Sequence, residues 1–217
     1  MVTKQNKISS KIVEKLRLRS KKITAKEEIF QVIGEYQRIY KKRVNSKSIW
    51  TYVRKSQYIK RILGDYYYVY SLEERHHHYC QYSDEELIFL VLEEMKIKWY
   101  LGLERALQEN KIRWQALNVV PIINVYFSGV KRLGNSQFKF IKTQEKKFAC
   151  GIIEKKTANG VKYFYADLEK TYLDFLYFHS SQGKDMEIIH RQLDFKIKKK
   201  VVRRYAQCYS KKILRML

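Results

Sequence analysis

Positive and polar side chains gather between residues 46 and 61 at a spacing that suits a nucleic-acid duplex. Lys47, Ser48, Thr51, Arg54 and Lys55 recur at intervals of three and four, so a helix would carry them on one face, with Tyr58 a turn beyond. Arg and Lys donate to guanine edges or to phosphates, and Ser and Thr hydroxyls serve either. Lys60 and Arg61 follow in a β-prone stretch and suit phosphate contacts. The competing expectation is a small helical bundle with a solvated charged face.

Carboxylates offer a different chemistry. Asp167, Glu169 and Asp174 follow a β-prone run, and strand ends are where α/β active sites often lie. Together they would bind a metal or work as acid and base, and a metal-dependent nucleic-acid-processing enzyme is the enzymatic alternative. Capping and local salt bridges are the simpler use, because the usual two-metal carboxylate set is not evident. No P-loop, GxGxxG or HExxH occurs, and His179 and His190 have no serine or cysteine elbow near them. The adjacent His76, His77 and His78 cannot all point one way and read as a polar hinge rather than a metal site. Cys80, Cys150 and Cys208 fit no metal or disulfide spacing, and a reducing cytoplasm is their simplest home. No catalytic residue, metal or cofactor is expected.

The elements that would position these groups follow from periodicity. A short helix is expected around Ile12 to Leu18. A second starts at Thr24, with Glu27 completing a capping box, and carries Ile29, Val32, Ile33, Tyr36, Ile39 and Tyr40 at helical spacing before Lys41–Lys42–Arg43 ends it. After a break at Val44–Ser46, a third helix runs to about Gln57, with Ile49, Tyr52, Val53 and Ser56 inward. Tyr58–Ile62 and Tyr66–Tyr70 flank Gly64–Asp65 as a hairpin. Helix, helix, hairpin is the order of a winged helix-turn-helix, in which the second helix enters the major groove. Ser83 and Glu86 open a further helix with a capping box, and another is expected over Trp99–Gln108. The period then turns to strands: Val119–Phe127 with Pro121 near an edge or start, Phe138–Ile141, Phe148–Ile153, and Val161–Tyr165 after an Asn159–Gly160 turn. Asp167 is placed to cap the next helix. The tail is helical, with Met186, Ile189, Leu193 and Ile197 on one apolar line.

The chain has 217 residues and a formal net charge of +23, which favours a polyanionic partner such as nucleic acid over an acidic membrane surface. The charge is localised: Lys and Arg outnumber Asp and Glu by 18 to 5 over residues 1–70 and by 10 to 1 over residues 191–217, but only by 17 to 16 between them. A uniformly basic composition would not leave the middle neutral. No apolar run approaches a membrane span, and no signal-peptide core is present.

Several segments together carry a family resemblance. They are Ser48–Ile49–Trp50–Thr51–Tyr52–Val53–Arg54, Tyr58–Ile62, Tyr66–Val69, Trp99–Leu107, Asn124–Gly129, Phe138–Phe140, Gly151–Ile153 and Ala166–Asp174. In them the chain resembles the AbiEi-type antitoxins of type IV toxin–antitoxin (abortive-infection) systems over most of residues 24–193. The resemblance implies an N-terminal winged-helix head that binds repeats in its own operator and represses transcription. It further implies a C-terminal domain that counters a nucleotidyltransferase toxin encoded nearby, by functional antagonism rather than in a stable complex. Ser46–Gln57 would be the recognition helix and Lys60–Tyr70 the wing. Asp167, Glu169, Lys170, Thr171 and Asp174 would belong to a motif of the antitoxin domain. The lysine-rich first helix and the long basic tail depart from the family pattern.

The fold expected is therefore α+β: a winged helix-turn-helix over residues 1–75, then a mixed α/β antitoxin-like domain over 83–217 with a basic C-terminal helix. The function expected is that of a DNA-binding repressor in the cytoplasm, with double-stranded operator DNA as partner and no membrane association. A stand-alone DNA-binding adaptor is a further alternative.

Overall fold

Apolar residues at helical spacing build the first core. In the computed structural model, which describes residues 4–19, 21–39, 45–180, 193, 195–209 and 211–214, helices α1 (Lys4–Leu18), α2 (Lys26–Ile39) and α3 (Ser46–Lys55) bury Ile12, Leu16, Ile29, Ile33, Ile49 and Val53 against one another. Each such side chain contributes about 1.5–3 kcal/mol on burial. Strands β1 (Ile23–Ala25), β2 (Ile59–Leu63) and β3 (Tyr66–Val69) form an antiparallel sheet in the order β1-β3-β2. The β2–β3 hairpin turns at Gly64, whose φ of +55° favours glycine. Helices α4 (Leu72–His76) and α5 (Asp84–Glu94) follow.

Several sequence expectations change here. Thr24 is not a helix cap: it lies in β1, buried and paired with Tyr67, and Glu28 rather than Glu27 reaches back to the Ala25 N–H. The sheet competes for Thr24 and wins because β3 offers a free edge. Ile39 is 61% exposed, so the apolar stripe of α2 ends at Tyr36. Tyr40 and Lys41–Arg43 lie outside the described residues. Ser83 and Glu86 do form a capping box on α5.

The chain divides into two compact units, Met1–Met95 and Lys96–Leu217. Helix α5, expected to open the second domain, belongs to the first. It packs on β1 and β2, and ion pairs tie its ends to Lys60 (Asp84, 3.1 Å) and Lys21 (Glu94, 3.1 Å).

The second unit is built on a six-stranded sheet in the order β6-β7-β5-β4-β9-β8. Its strands are β4 (Trp99–Leu101), β5 (Val119–Asn124), β6 (Gly129–Leu133), β7 (Ser136–Lys142), β8 (Ile152–Lys156) and β9 (Lys162–Ala166). The β5–β7 and β4–β9 pairs are parallel and the rest antiparallel. Helices α6 (Leu103–Glu109), α7 (Leu168–Ser180), α8 (Lys199–Tyr205) and α9 (Lys211–Leu214) complete it, with a 3₁₀ turn at Glu145–Ala149 and another at Ala206–Cys208. The whole is an α+β protein, and no helix among the described residues is long and apolar enough to cross a membrane.

The helix expected from Trp99 begins four residues later. Trp99, Tyr100 and Leu101 are all buried, which suits a strand covered on both faces. Pro121 lies in an internal strand rather than at an edge. Its carbonyl accepts from the Gly102 N–H, so its nitrogen side faces the place where β4 has already ended, and no ladder donor is lost. Phe148 sits in the 3₁₀ turn, and the strand expected there starts only at Ile152, after Gly151 with φ +64°. Met186, Ile189 and His190 lie outside the described residues, while Leu193 and Ile197 pack against α7 and α8 neighbours.

Candidate nucleic-acid interface

Helix α3 owes its start to Asn45, whose Oδ1 accepts from the Lys47 N–H at 2.8 Å. Ser46 Oγ donates to Gln37 Oε1 of α2 at 3.0 Å. Ile49 and Val53 anchor the inner face, and Trp50 packs edge-on against Tyr67, with ring centroids 5.2 Å apart. With these positions taken by the core, the outer face is left to Lys47, Ser48, Thr51, Arg54 and Lys55. Lys47, Arg54 and Lys55 are exposed, and Ser48 and Thr51 half-buried. Thr51 donates its hydroxyl to the Lys47 carbonyl at 2.9 Å and keeps its oxygen free to accept.

The electrostatic contrast along this region is sharp. Among the described residues, Lys47, Arg54 and Lys55 enter no ion pair, whereas Lys60 is held by Asp84 at 3.1 Å. Arg61 folds onto its own turn, donating from Nε to the Gly64 carbonyl at 2.6 Å and lying 3.6 Å from Asp65. Tyr58 does not join the α3 face. It packs on the core, with the Arg75 guanidinium 3.3 Å from its ring centroid. The structure thus brings five of the expected side chains onto one helix face and gives Tyr58, Lys60 and Arg61 other immediate partners.

The carboxylates of the second unit go separate ways. Asp167 caps α7 as expected, accepting the Lys170 N–H at 2.8 Å through Oδ1, and accepts the Tyr205 hydroxyl at 3.1 Å through Oδ2. Burial pushes its pKa up, against these hydrogen bonds. Glu169 accepts the Lys198 N–H at 3.1 Å. Asp174 is fully buried between Tyr100 (3.0 Å) and Tyr209 (2.6 Å), with Lys170 Nζ 3.8 Å away. Lys170 Nζ donates in turn to the Lys147 carbonyl at 2.7 Å and to Tyr209 at 3.2 Å, and the Thr171 hydroxyl to the Asp167 carbonyl at 2.6 Å. Lys170, Thr171 and Asp174 have no exposed surface. The run from Asp167 to Asp174 therefore caps α7 and fastens the C-terminal segment to it.

Two groups escaped the sequence reading. Lys147 is fully buried, donating to Thr143 Oγ1 at 2.9 Å with its ammonium over the Tyr177 ring, and burial holds its pKa down at about 7. Its neighbour Lys146 is exposed, and nothing in a Lys–Lys pair signals which one turns inward. Arg17 and Arg75 converge from helices far apart in sequence on Tyr70 and Tyr58, which a backbone hydrogen bond joins at the base of the β2–β3 hairpin, a proximity that only the fold creates.

No family model matches the chain, and no curated protein matches it.

Proposed function

We propose that the first unit is a winged helix-turn-helix that binds duplex DNA, and that the chain is an operator-binding repressor of the antitoxin type. The observation that carries this reading is the outer face of α3, where Lys47, Arg54 and Lys55 stand exposed and without ion pairs among the described residues, beside Ser48 and Thr51. Unpaired cations at helical spacing fit the major groove, and hydroxyls beside them add base or phosphate contacts. The element order α1-β1-α2-α3-β2-β3 and the strand order β1-β3-β2 support the same reading, because the hairpin follows α3 directly and serves as the wing.

The basic tail supports a polyanionic partner independently. Lys198, Lys199, Lys200, Arg203 and Arg204 are exposed and, among the described residues, enter no ion pair. They would add phosphate contacts that carry affinity but no sequence preference. Antagonism of a nucleotidyltransferase toxin by the second unit rests on the family resemblance alone. The buried setting of Lys170, Thr171 and Asp174 favours a scaffolding role for that motif over a catalytic one.

The test is a titration of the chain's own upstream region and a scrambled duplex with the intact protein and with a Lys47→Ala/Arg54→Ala/Lys55→Ala variant. The expected result is a preference for the upstream region that the variant loses. Equal affinity of the intact protein for both duplexes would sink the repressor reading.

A further inference from the structure

A cleft of about 520 Å³ opens in the first unit where α3 hands over to the β2–β3 ribbon. That volume lies within the range of small-molecule sites, ~300–1,000 Å³. Ile59, Tyr70 and Tyr79 give it apolar walls, and Lys60, Arg75 and His78 give it basic ones.

The charge around the cleft is unbalanced. The Arg75 guanidinium carbon lies over the Tyr58 ring, 3.3 Å from its centroid. Arg17 grips the Tyr70 carbonyl through Nε at 2.6 Å and also through Nη2. The two guanidiniums are close enough that burial first, and then repulsion from Arg75, lower the pKa of Arg17. The carboxylate on the wall, Glu74, is held in its charged form and offsets one of the two guanidiniums, not both. It already accepts from Tyr68 Oη (2.6 Å), the Ser71 N–H (2.7 Å) and the Gln81 N–H (2.8 Å). Asp84 is taken by Lys60. Gln57 and His78, both on the rim, hold left-handed backbones with φ of 59° and 53°. Each follows its helix's C-cap, Ser56 of α3 and His77 of α4, where a left-handed residue commonly ends a helix.

We propose that this cleft binds a small organic anion: a phosphate or carboxylate held by Arg75, with His78 at the rim as a second donor, on a flat apolar body lying between Tyr70 and Tyr79. Because Gln57 follows the C-cap of α3, Ser56, and Ile59 and Lys60 begin β2, an occupant bears on the joint that sets the helix against the ribbon. Occupancy therefore changes DNA affinity. That consequence rests on the DNA-binding reading; anion binding itself does not.

The experiment uses isothermal titration of the full, DNA-free chain with adenosine monophosphate, benzoate and inorganic phosphate. One of the two organic anions binds at least about tenfold more tightly than inorganic phosphate, and Arg75→Gln weakens it about tenfold or more, the usual scale for a lost charge-assisted hydrogen bond. Adenosine monophosphate alone responding assigns a phosphate ligand, and benzoate alone a carboxylate. His78→Ala, at the rim, weakens the same anion and covers the case in which Arg75→Gln fails to fold. In a second arm the bound anion shifts the affinity for the upstream duplex. No heat with either organic anion, or binding unchanged in both variants, overturns the proposal. So does loss of duplex affinity in Arg75→Gln without anion binding, which would make the cleft a seat for a DNA phosphate. Anion binding without any DNA binding would retain the site and overturn only the regulatory consequence.

Discussion

Lys147 sits in a setting far from its chemistry in water. Its ammonium is buried against aromatic rings and its pKa falls to about 7, while the unfolded chain keeps the proton to about 10.5. Between those values the unfolded state binds more protons, so stability rises with pH. Burial also lifts the Cys150 thiol to about 12, which acts in the opposite sense once free thiols ionise near 9. The melting temperature is therefore expected to climb from about pH 6.5 to 9. Lys147→Met should raise it at pH 6.5 and flatten the climb, which calorimetry at several pH values would check. Glu74 is instead held in its charged form. Burial alone would raise its pKa, but hydrogen bonds from Gln81, Tyr68 and Ser71 outweigh that and lower it. Glu74→Ala strands those donors and is expected to cost about 1–3 kcal/mol by urea denaturation. On α3, Arg54→Ala should cut the preference for operator over random duplex by about 1–3 kcal/mol if the guanidinium reads a base. Lys60→Ala should leave that preference intact, because Lys60 is already paired with Asp84.

At the scale of elements, the chain entering β8 approaches α7 closely. Gly151 has φ +64°, and a Cβ there would lie 2.6 Å from Lys170 Cβ, 2.9 Å from Asp167 Oδ1 and 2.9 Å from a Tyr205 ring carbon. Gly151→Ala combines a left-handed backbone with overpacking and should cost about 3 kcal/mol. Gly160→Ala shares the positive φ but meets nothing within 4 Å, so about 1–2 kcal/mol is expected in the same urea series. The elements differed in how far the sequence disclosed them. The α3 face, the Gly64 hairpin, the Asn159–Gly160 turn and the caps at Ser83 and Asp167 were legible because each depends on a few adjacent residues. Strand β4 was not, because a strand buried on both faces shows no alternation, and Trp99–Tyr100–Leu101 runs straight into the pattern of α6. Strand β6 has little apolar pattern of its own and is defined by pairing with β7. The place of α5 depends on its buried face packing on β1 and β2, which no local pattern encodes. For the same reason the cations of α3 could be named from spacing, while the diversion of Lys60, Arg61 and Tyr58 to other partners could not.

For the whole molecule, a net charge of +23 leads us to expect that binding to a polyanion depends strongly on salt. Replacing Lys199, Lys200, Arg203 and Arg204 with Gln should weaken every duplex alike and spare sequence preference. The slope of log K against log salt should fall by ~0.9 for each phosphate that the protein no longer neutralises. The α3 triple variant should do the reverse, losing preference more than slope. Charge alone therefore separates a sticky protein from a selective one only when both quantities are measured together. The most direct measurement is the affinity of the intact chain for its own upstream region and for a scrambled duplex across a salt series from about 50 to 200 mM. A steep slope on both, with the upstream region at least about tenfold tighter at every salt concentration, is the result expected if α3 reads sequence. Superimposed curves for the two duplexes, or no binding at the upper end of the series, would contradict it.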